Sequence, residues 1–370
     1  MDLNLQIFTG GCNVPAEIDK RSLIDKINKI LKKTKITSVF AGWNKDTDLS
    51  DVFEVLKQNG TEIYLWLPIF SELNALADFP PLIRHDQEKL EINFDMGTGE
   101  EFIFYCPSTA VERVIEVFEK HYYDEIYDGV FIDKIRFPSF IGGSNSALVC
   151  YCRHCNEKYH LPDPKGFTDS INPLGITGYE SLRYSMDHSF EELFKSKGNV
   201  IYHSLEELCK YFRERGMKIG LDLFVPFLAY FVGQDYHRLL GLADIVKPMF
   251  YSITNAPAGI PFEIDMYAGA FDDDSLNAQK RKEILLALVG YDDGFIRREV
   301  TGINKIIKSN DLQIKHYAGI ELNYVEHIAP VTEAYIRESI ANTSEADGIV
   351  PSWDLNTIPD SHIDCLMSFY

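Results

Sequence analysis

The chemical signal in this chain begins with polar residues set at the ends of short apolar runs. Asp133 closes Gly-Val-Phe-Ile, with Lys134 and Arg136 just beyond it. Asp222 ends Lys-Ile-Gly-Leu, Lys247 and Tyr251 fall in Asp-Ile-Val-Lys-Pro-Met-Phe-Tyr, Glu321 stands in Gly-Ile-Glu-Leu-Asn, and Asp354 follows Trp353. Trp66, in Tyr-Leu-Trp-Leu-Pro, offers a flat apolar face nearby. A charge beside a buried run must be solvated by a pocket or paired. Taken singly, each has a plain alternative as an ion pair closing a barrel end, for Glu321 a bridge to Lys247. Together they make the mixture that sugars need: carboxylates and amines for hydroxyls, aromatic faces for the apolar side of the ring, and carboxyls for bond cleavage.

Glycosidic bonds are commonly cut by two carboxyls, one protonating the leaving oxygen and the other serving as nucleophile or base. Asp133 and Glu321 are the expected pair, because their runs fall on opposite sides of a closed barrel, and Asp222 is the next candidate. Different surroundings would separate their pKa values and so their roles. Trp66, Arg136, Lys247, Tyr251, Trp353 and Asp354 are the expected sugar-positioning residues. Retention and inversion are not distinguished by sequence spacing. A non-catalytic carbohydrate-binding barrel is the second reading, with the carboxyls neutralised by Lys247 or Arg136. A metal-dependent hydrolase is disfavoured because the first run carries no His-x-His.

These residues need a scaffold that brings strand ends together. Eight β-rich runs alternate with amphipathic helical stretches: Leu3–Phe8, Ile36–Trp43, Glu62–Phe70, Asp128–Phe137, Lys218–Phe227, Asp244–Ser252, His316–Asn323 and Asp347–Leu355. That alternation predicts an α/β fold, a (β/α)8 TIM barrel, with the working residues at the C-terminal ends of the strands. A doubly wound open sheet would carry a Gly-x-Gly-x-x-Gly turn after an early strand, and Gly10-Gly11 lacks that spacing. The reading is a single barrel over 1–370, with long inserted loops after strands 4 and 6, at about 139–195 and 253–277. Both loops lengthen the walls of the cleft.

Composition narrows the partners. The net charge is −20, from 36 Lys and Arg against 56 Asp and Glu, which disfavours nucleic acid and anionic membranes. The N-terminal stretch has neither the basic segment nor the apolar core of a secretory signal. No apolar run reaches the roughly 18 residues needed to span a bilayer. A soluble, cytoplasmic protein is expected, with no organic cofactor. Seven cysteines do not suggest a secreted disulfide scaffold. Cys150, Cys152 and Cys155 sit in Cys-Tyr-Cys-Arg-His-Cys, and Cys106 stands earlier. Four such thiolates can complete a tetrahedral, structural Zn2+ site. A reduced cluster without metal, or His154 or His160 replacing one thiol, remains open, and Cys12, Cys209 and Cys365 read as ordinary buried thiols.

The segment Asp128–Ser139, Asp-Gly-Val-Phe-Ile-Asp-Lys-Ile-Arg-Phe-Pro-Ser, resembles the strand-4 signature of bacterial glycoside-hydrolase-like TIM barrels. The resemblance implies a catalytic role for Asp133 and a supporting one for Arg136. The runs around Lys247 and Trp353 are similar to strands 6 and 8 of such proteins. The cysteine pattern is similar to the four-cysteine zinc site of glycoside hydrolase family 42 β-galactosidases, and implies Cys106, Cys150, Cys152 and Cys155 as its ligands. That family ends strand 4 on Asn-Glu, whereas this chain has Ile132-Asp133, so β-galactosidase activity is not implied.

Overall fold

The computed structural model describes residues 1–92, 102–161, 188–270 and 277–370. Its centre is a closed barrel of eight parallel strands. They are β1 (Asp2–Phe8), β2 (Ile36–Gly42), β3 (Glu62–Pro68), β4 (Gly129–Asp133), β5 (Lys218–Phe224), β6 (Ile245–Met249), β7 (Lys315–Glu321) and β8 (Gly348–Ser352). Each pairs with its neighbours in sequence, and β8 closes on β1. The principal outer helices are α1 (Lys20–Leu31), α2 (Ser50–Gln58), α3 (Pro107–His121), α4 (His188–Glu214), α5 (Phe295–Ser309), α6 (Glu333–Asn342) and α7 (Asp360–Met367). The (β/α)8 barrel expected from sequence is therefore the fold. No helix among the described residues is long and apolar enough to cross a membrane.

Local chemistry accounts for these elements. On α1, Asp19 caps the first turn by accepting from the Arg21 and Ser22 amides, and Leu23, Ile27 and Ile30 form the buried stripe. Pro107 opens α3 at a position where the missing N–H costs nothing. The strands are apolar on both faces because helices cover the outside and side chains fill the inside. Phe40 and Phe131 stack inside with ring centroids 4.0 Å apart, and Tyr64 meets Phe40 edge-on. Gly220 on β5 makes room for this layer, since a Cβ there would lie 2.7 Å from the Phe131 ring.

Three departures from the sequence reading have physical causes. The fifth strand stops at Phe224 rather than Phe227, because Pro226 begins a helical turn. The β5–β6 crossover is a buried series of short turns, Pro226–Ala229 through Leu240–Leu242, in place of one amphipathic helix. Its apolar residues face inward all round, so no helical stripe forms. The excursion after β3 has residues 93–101 outside the described residues, and its described parts are joined by the isolated bridges Ser71↔Phe104 and Pro81↔Tyr105. Of the insertions expected at 139–195 and 253–277, residues 162–187 and 271–276 lie outside the described residues. The described parts include short helices at Ser144–Ala147 and Arg153–Tyr159 and a longer one at Ile260–Gly269.

One close approach sets up the site above. A Cβ on Gly319 of β7 would meet the Lys247 Cε at 2.5 Å and the Pro248 carbonyl at 3.0 Å. Gly319→Ala is therefore expected to destabilise the fold by about 1–3 kcal/mol. Denaturant unfolding checks this, and an unchanged midpoint would remove Lys247 from the barrel interior.

Candidate functional site

A cavity of about 390 Å³ opens at the C-terminal end of the barrel, among the ends of the strands. All three tryptophans of the chain line it: Trp43 after β2, Trp66 on β3 and Trp353 after β8. Phe8 bridges the first two, 5.2 Å from Trp43 and 5.8 Å from Trp66 by ring centroids. Trp353 lies 6.3 Å from the Tyr251 ring. The result is an apolar lining with a polar base.

That base is built by register. Ile132 pairs with Leu221, so the next residues, Asp133 and Asp222, stand level on β4 and β5. Asp222 in turn pairs with Lys247 on β6. The Lys247 ammonium is fully buried and gives hydrogen bonds to Asp222 Oδ2 at 2.9 Å, the Tyr251 hydroxyl at 2.9 Å and Gln6 Oε1 at 3.3 Å. All three of its hydrogens are used. Asp222 Oδ1 has no hydrogen-bond partner among the described residues. Asp133 accepts from the Trp66 indole at 3.0 Å and from the Lys134 amide.

Charge count explains the titration. Burial pushes the Asp222 carboxyl up to about 7, Lys247 opposes this, and the neighbouring Asp133 carboxylate adds to it. Lys247 itself is pushed down by burial, but Asp222 and Tyr251 more than offset this and hold it above its ordinary value. Burial, with the neighbouring Asp133 carboxylate, outweighs Lys247 and keeps the Asp222 proton until near neutrality.

The remaining sequence candidates separate into walls and supports. Lys134 does not point to open solvent. Its ammonium lies 4.0 Å from the Phe102 ring centroid and 3.5 Å from Glu72 Oε1. Arg136 lies between the Phe104 and Phe224 rings, at 4.8 and 4.7 Å, and borders the cavity. Asp354 also borders it, but its oxygens accept from the Phe8 and Asn356 amides and the Thr357 hydroxyl. Burial raises Asp354 to about 6 against those bonds.

Glu321 is placed differently from the role expected of it. It is fully buried and is not part of the cavity lining. Its carboxylate accepts from the consecutive amides of Ser252, Ile253 and Thr254, from the Thr254 hydroxyl at 2.7 Å, and from the Tyr335 phenol. Three successive N–H groups form an anion-binding concavity, and Glu321 fills it. Burial raises this carboxyl to about 7 despite five donors. The structure does not bring Glu321 to the cavity with Asp133, and the carboxyl level with Asp133 is that of Asp222. Sequence reading also passed over Gln6, Trp43 and Phe102 in the lining. It passed over Asn323 too, whose side chain holds the Trp353 and Asp354 amides.

The four cysteines meet beside this face. The Sγ atoms of Cys106, Cys150, Cys152 and Cys155 all lie within 4.8 Å of one another, with Cys106 3.7 Å from Cys152 and 3.5 Å from Cys155. A tetrahedral centre with sulfur at 2.3 Å requires sulfurs about 3.8 Å apart, so the cluster could hold a metal ion. Cys12, Cys209 and Cys365 are buried elsewhere, and none of them is in a disulfide.

In sequence the chain matches no protein-family model and no curated protein. In structure it is similar to the glycoside hydrolase domain of PgaB (BpsB) from Bordetella bronchiseptica, with TM-score 0.57 and 15% identity over 99% of this chain and 98% of that one. It is similar to a β-galactosidase from the psychrophilic Marinomonas ef1, with TM-score 0.57 and 8% identity over 100% of this chain and 59% of that one. A third likeness is α-L-fucosidase isoenzyme 2 from Paenibacillus thiaminolyticus, with TM-score 0.53 and 10% identity over 99% of this chain and 48% of that one. At such identities the likeness establishes the fold, a barrel shared with glycoside hydrolases.

The role of Glu321 is open to direct measurement. Glu321→Ala leaves the buried Thr254 amide and the half-buried Ser252 and Ile253 amides without this acceptor, at a cost of about 1–3 kcal/mol for the buried one. The variant is expected to lose several degrees of melting temperature. A normal melting temperature with abolished turnover would return Glu321 to the chemistry.

Proposed function

We propose that this protein is a glycoside hydrolase, one catalytic barrel over 1–370 with its insertions at about 139–195 and 253–277. Asp133 and Asp222 are its proton-handling carboxyls. The observation that carries the reading is their placement. Two carboxyls stand level on neighbouring strand ends, one of them held by a buried ammonium, and both border a cavity lined by every tryptophan of the chain. Aromatic faces take the apolar side of a sugar ring, and the carboxyl pair supplies a proton at neutral pH. Trp66, Tyr251, Trp353 and Arg136 bound the space in which the sugar sits, while Lys247 and Asp354 act from beneath by holding Asp222, Tyr251 and the β8 end. The non-catalytic carbohydrate-binding reading is less well supported, because the hydrogen bonds of Lys247 reach Asp222 and not Asp133.

Asp133 is the proton donor to the leaving oxygen in this reading, since it is the more open of the two, 9% exposed against 2% for Asp222. Asp133→Asn is expected to lower kcat about 100-fold or more while leaving the melting temperature unchanged, because Asn still accepts from the Trp66 indole. A glycan-library screen supplies the substrate, and unchanged turnover removes Asp133 from the reaction. The pH dependence has a defined sign. Below about 7 the Asp222 carboxyl retains its proton, and above it that carboxyl is ionised. Activity is therefore expected to fall as pH rises through about 7, and a flat profile across that point overturns the part given to the Asp222 proton.

We further propose that the thiolate cluster takes zinc. Four soft thiolates at near-tetrahedral separations suit that ion, and a closed four-sulfur set leaves no position for substrate. Cys106, Cys150, Cys152 and Cys155 would hold it, tying the connection after β3 to the one after β4. Metal analysis is expected to find about one zinc per chain. Cys155→Ser is expected to lower both zinc content and melting temperature. Full zinc content in that variant overturns the assignment.

A further inference from the structure

The lining of the cavity is uneven in its exposure. Trp43, Trp66, Phe102 and Phe224, from the side of β2 to β5, are all buried in the wall. On the side of β7, β8 and β1 the lining reaches solvent, where Tyr324, Thr357 and Glu17 are exposed. Among the described residues six large apolar side chains stand exposed: Met1, Val14, Ile103, Tyr123, Tyr324 and Phe369. Tyr324 is the one of these that lines the cavity, and it is 51% exposed. Single apolar groups on a surface need no explanation, but an open aromatic ring at the mouth of a cavity has a face to offer a ligand.

That ring stands on a fixed backbone. The preceding residue, Asn323, is buried and ties the end of β7 to the connection after β8. Its amide nitrogen donates to the Asp354 carbonyl at 2.8 Å and the Thr357 hydroxyl at 2.7 Å, while its oxygen accepts from the Trp353 and Asp354 amides. Tyr324–Val325 then pairs with Ala329–Pro330 in a small antiparallel hairpin. Buried Ala329 and Val331 anchor the hairpin, and the Ile328 carbonyl accepts from the Asn255 amide at 2.7 Å, beside the cavity wall at 256–258. A tyrosine on an anchored backbone has little freedom left to lose when a ligand covers it, so its contact area is gained at low entropic cost.

The neighbours of the ring decide what it would carry. Glu17, Asn356 and Thr357 line the same side, and Asn356 Nδ2 donates to the Glu17 carbonyl at 3.3 Å, joining the connection after β8 to the one after β1. A lipid or an apolar peptide would leave these polar groups covered and unpaired. A sugar lays its apolar C–H side on the ring and turns its hydroxyls to such groups. We propose that Tyr324 carries a second sugar unit at the rim, so that the substrate is an oligosaccharide or polysaccharide continuing out of the cavity over the ends of β7 and β8. Its cleavage rests on the hydrolase reading above, whereas its binding at Tyr324 does not. Tyr324 is a positioning residue here: it holds the chain and takes no part in breaking the bond.

The test compares the wild-type chain with Tyr324→Ala and Tyr324→Phe on the soluble polysaccharides of a glycan library, by turnover and by retardation in native gels containing each polymer. An exposed ring contributes little to folding, so both variants are expected to melt with the wild type. Tyr324→Ala is expected to weaken retardation and to raise KM on the cleaved polymer about 10-fold, with kcat moved much less. That split marks binding lost equally from the ground and transition states. Tyr324→Phe, which keeps the ring face, is expected to restore both. Turnover and retardation unchanged in Tyr324→Ala overturn the rim site and leave the hydrolase standing. Retardation that depends on Tyr324 without turnover of any polymer upholds the rim site and overturns the hydrolase. Neither retardation nor turnover of any polymer overturns both.

Discussion

Lys247 brings a full positive charge into the barrel, and much of the upper interior is arranged around it. A buried ammonium without partners is costly by several kcal/mol, and removing one partner of a buried pair typically costs about 3–5 kcal/mol. The chain meets this with three acceptors on three strands or strand extensions: Gln6, Asp222 and Tyr251. Space is made by the glycine at 319, and the Phe40–Phe131 layer lies below. Position, charge and hydrogen-bond direction of Asp222 and Tyr251 follow from this single group. A residue expected from sequence to position the sugar is, in place, the post on which the polar base of the cavity is mounted.

Glu321 shows the opposite solution. Its carboxylate is as deeply buried as Asp222 and is raised to a similar value by the same cause, burial. The difference lies in saturation. Glu321 faces five donors, whereas Asp222 has one oxygen held and the other open. A saturated carboxylate has little left to offer a substrate, and an unsaturated one beside a cavity retains that capacity. The loop that Glu321 pins, 252–254, continues into Ala256–Ala258 on the cavity wall, so its contribution to the site is shape.

This contrast marks what the sequence can reveal. Strand runs and their polar ends are local patterns, so the barrel and the strand-end positions of Asp133, Asp222, Lys247 and Trp66 were legible. The cysteine cluster was legible because Cys150, Cys152 and Cys155 are close in sequence, and Cys106, also expected with them, is brought there through a long-range bridge network. The burial of Glu321 was not legible, because its partners are backbone amides whose direction depends on the turn after β6 rather than on residue type. Asn323 was missed for the same reason, since it holds backbone rather than another side chain. Phe102 and Trp43 carry no polar signal, and their place in the wall emerges only when connections from β2 and β3 converge.

The thiolate cluster joins this account through aromatic rings rather than through chemistry. Cys106 ends the connection that carries Phe102 and Phe104, and Cys150 to Cys155 belong to the connection that begins with Lys134 and Arg136. Phe102 packs on the Lys134 ammonium and Phe104 on the Arg136 guanidinium, so the two connections already interlock at the cavity wall. Cation–π contacts of this kind contribute about 0.5–2 kcal/mol each, too little alone to hold two long connections against their conformational entropy. A metal ion on the four sulfurs, as proposed, would close both loops at a second point beyond the rings. The wall would then be fixed from two ends, while Asp133 keeps its place at the end of β4, held by Trp66 from the neighbouring strand.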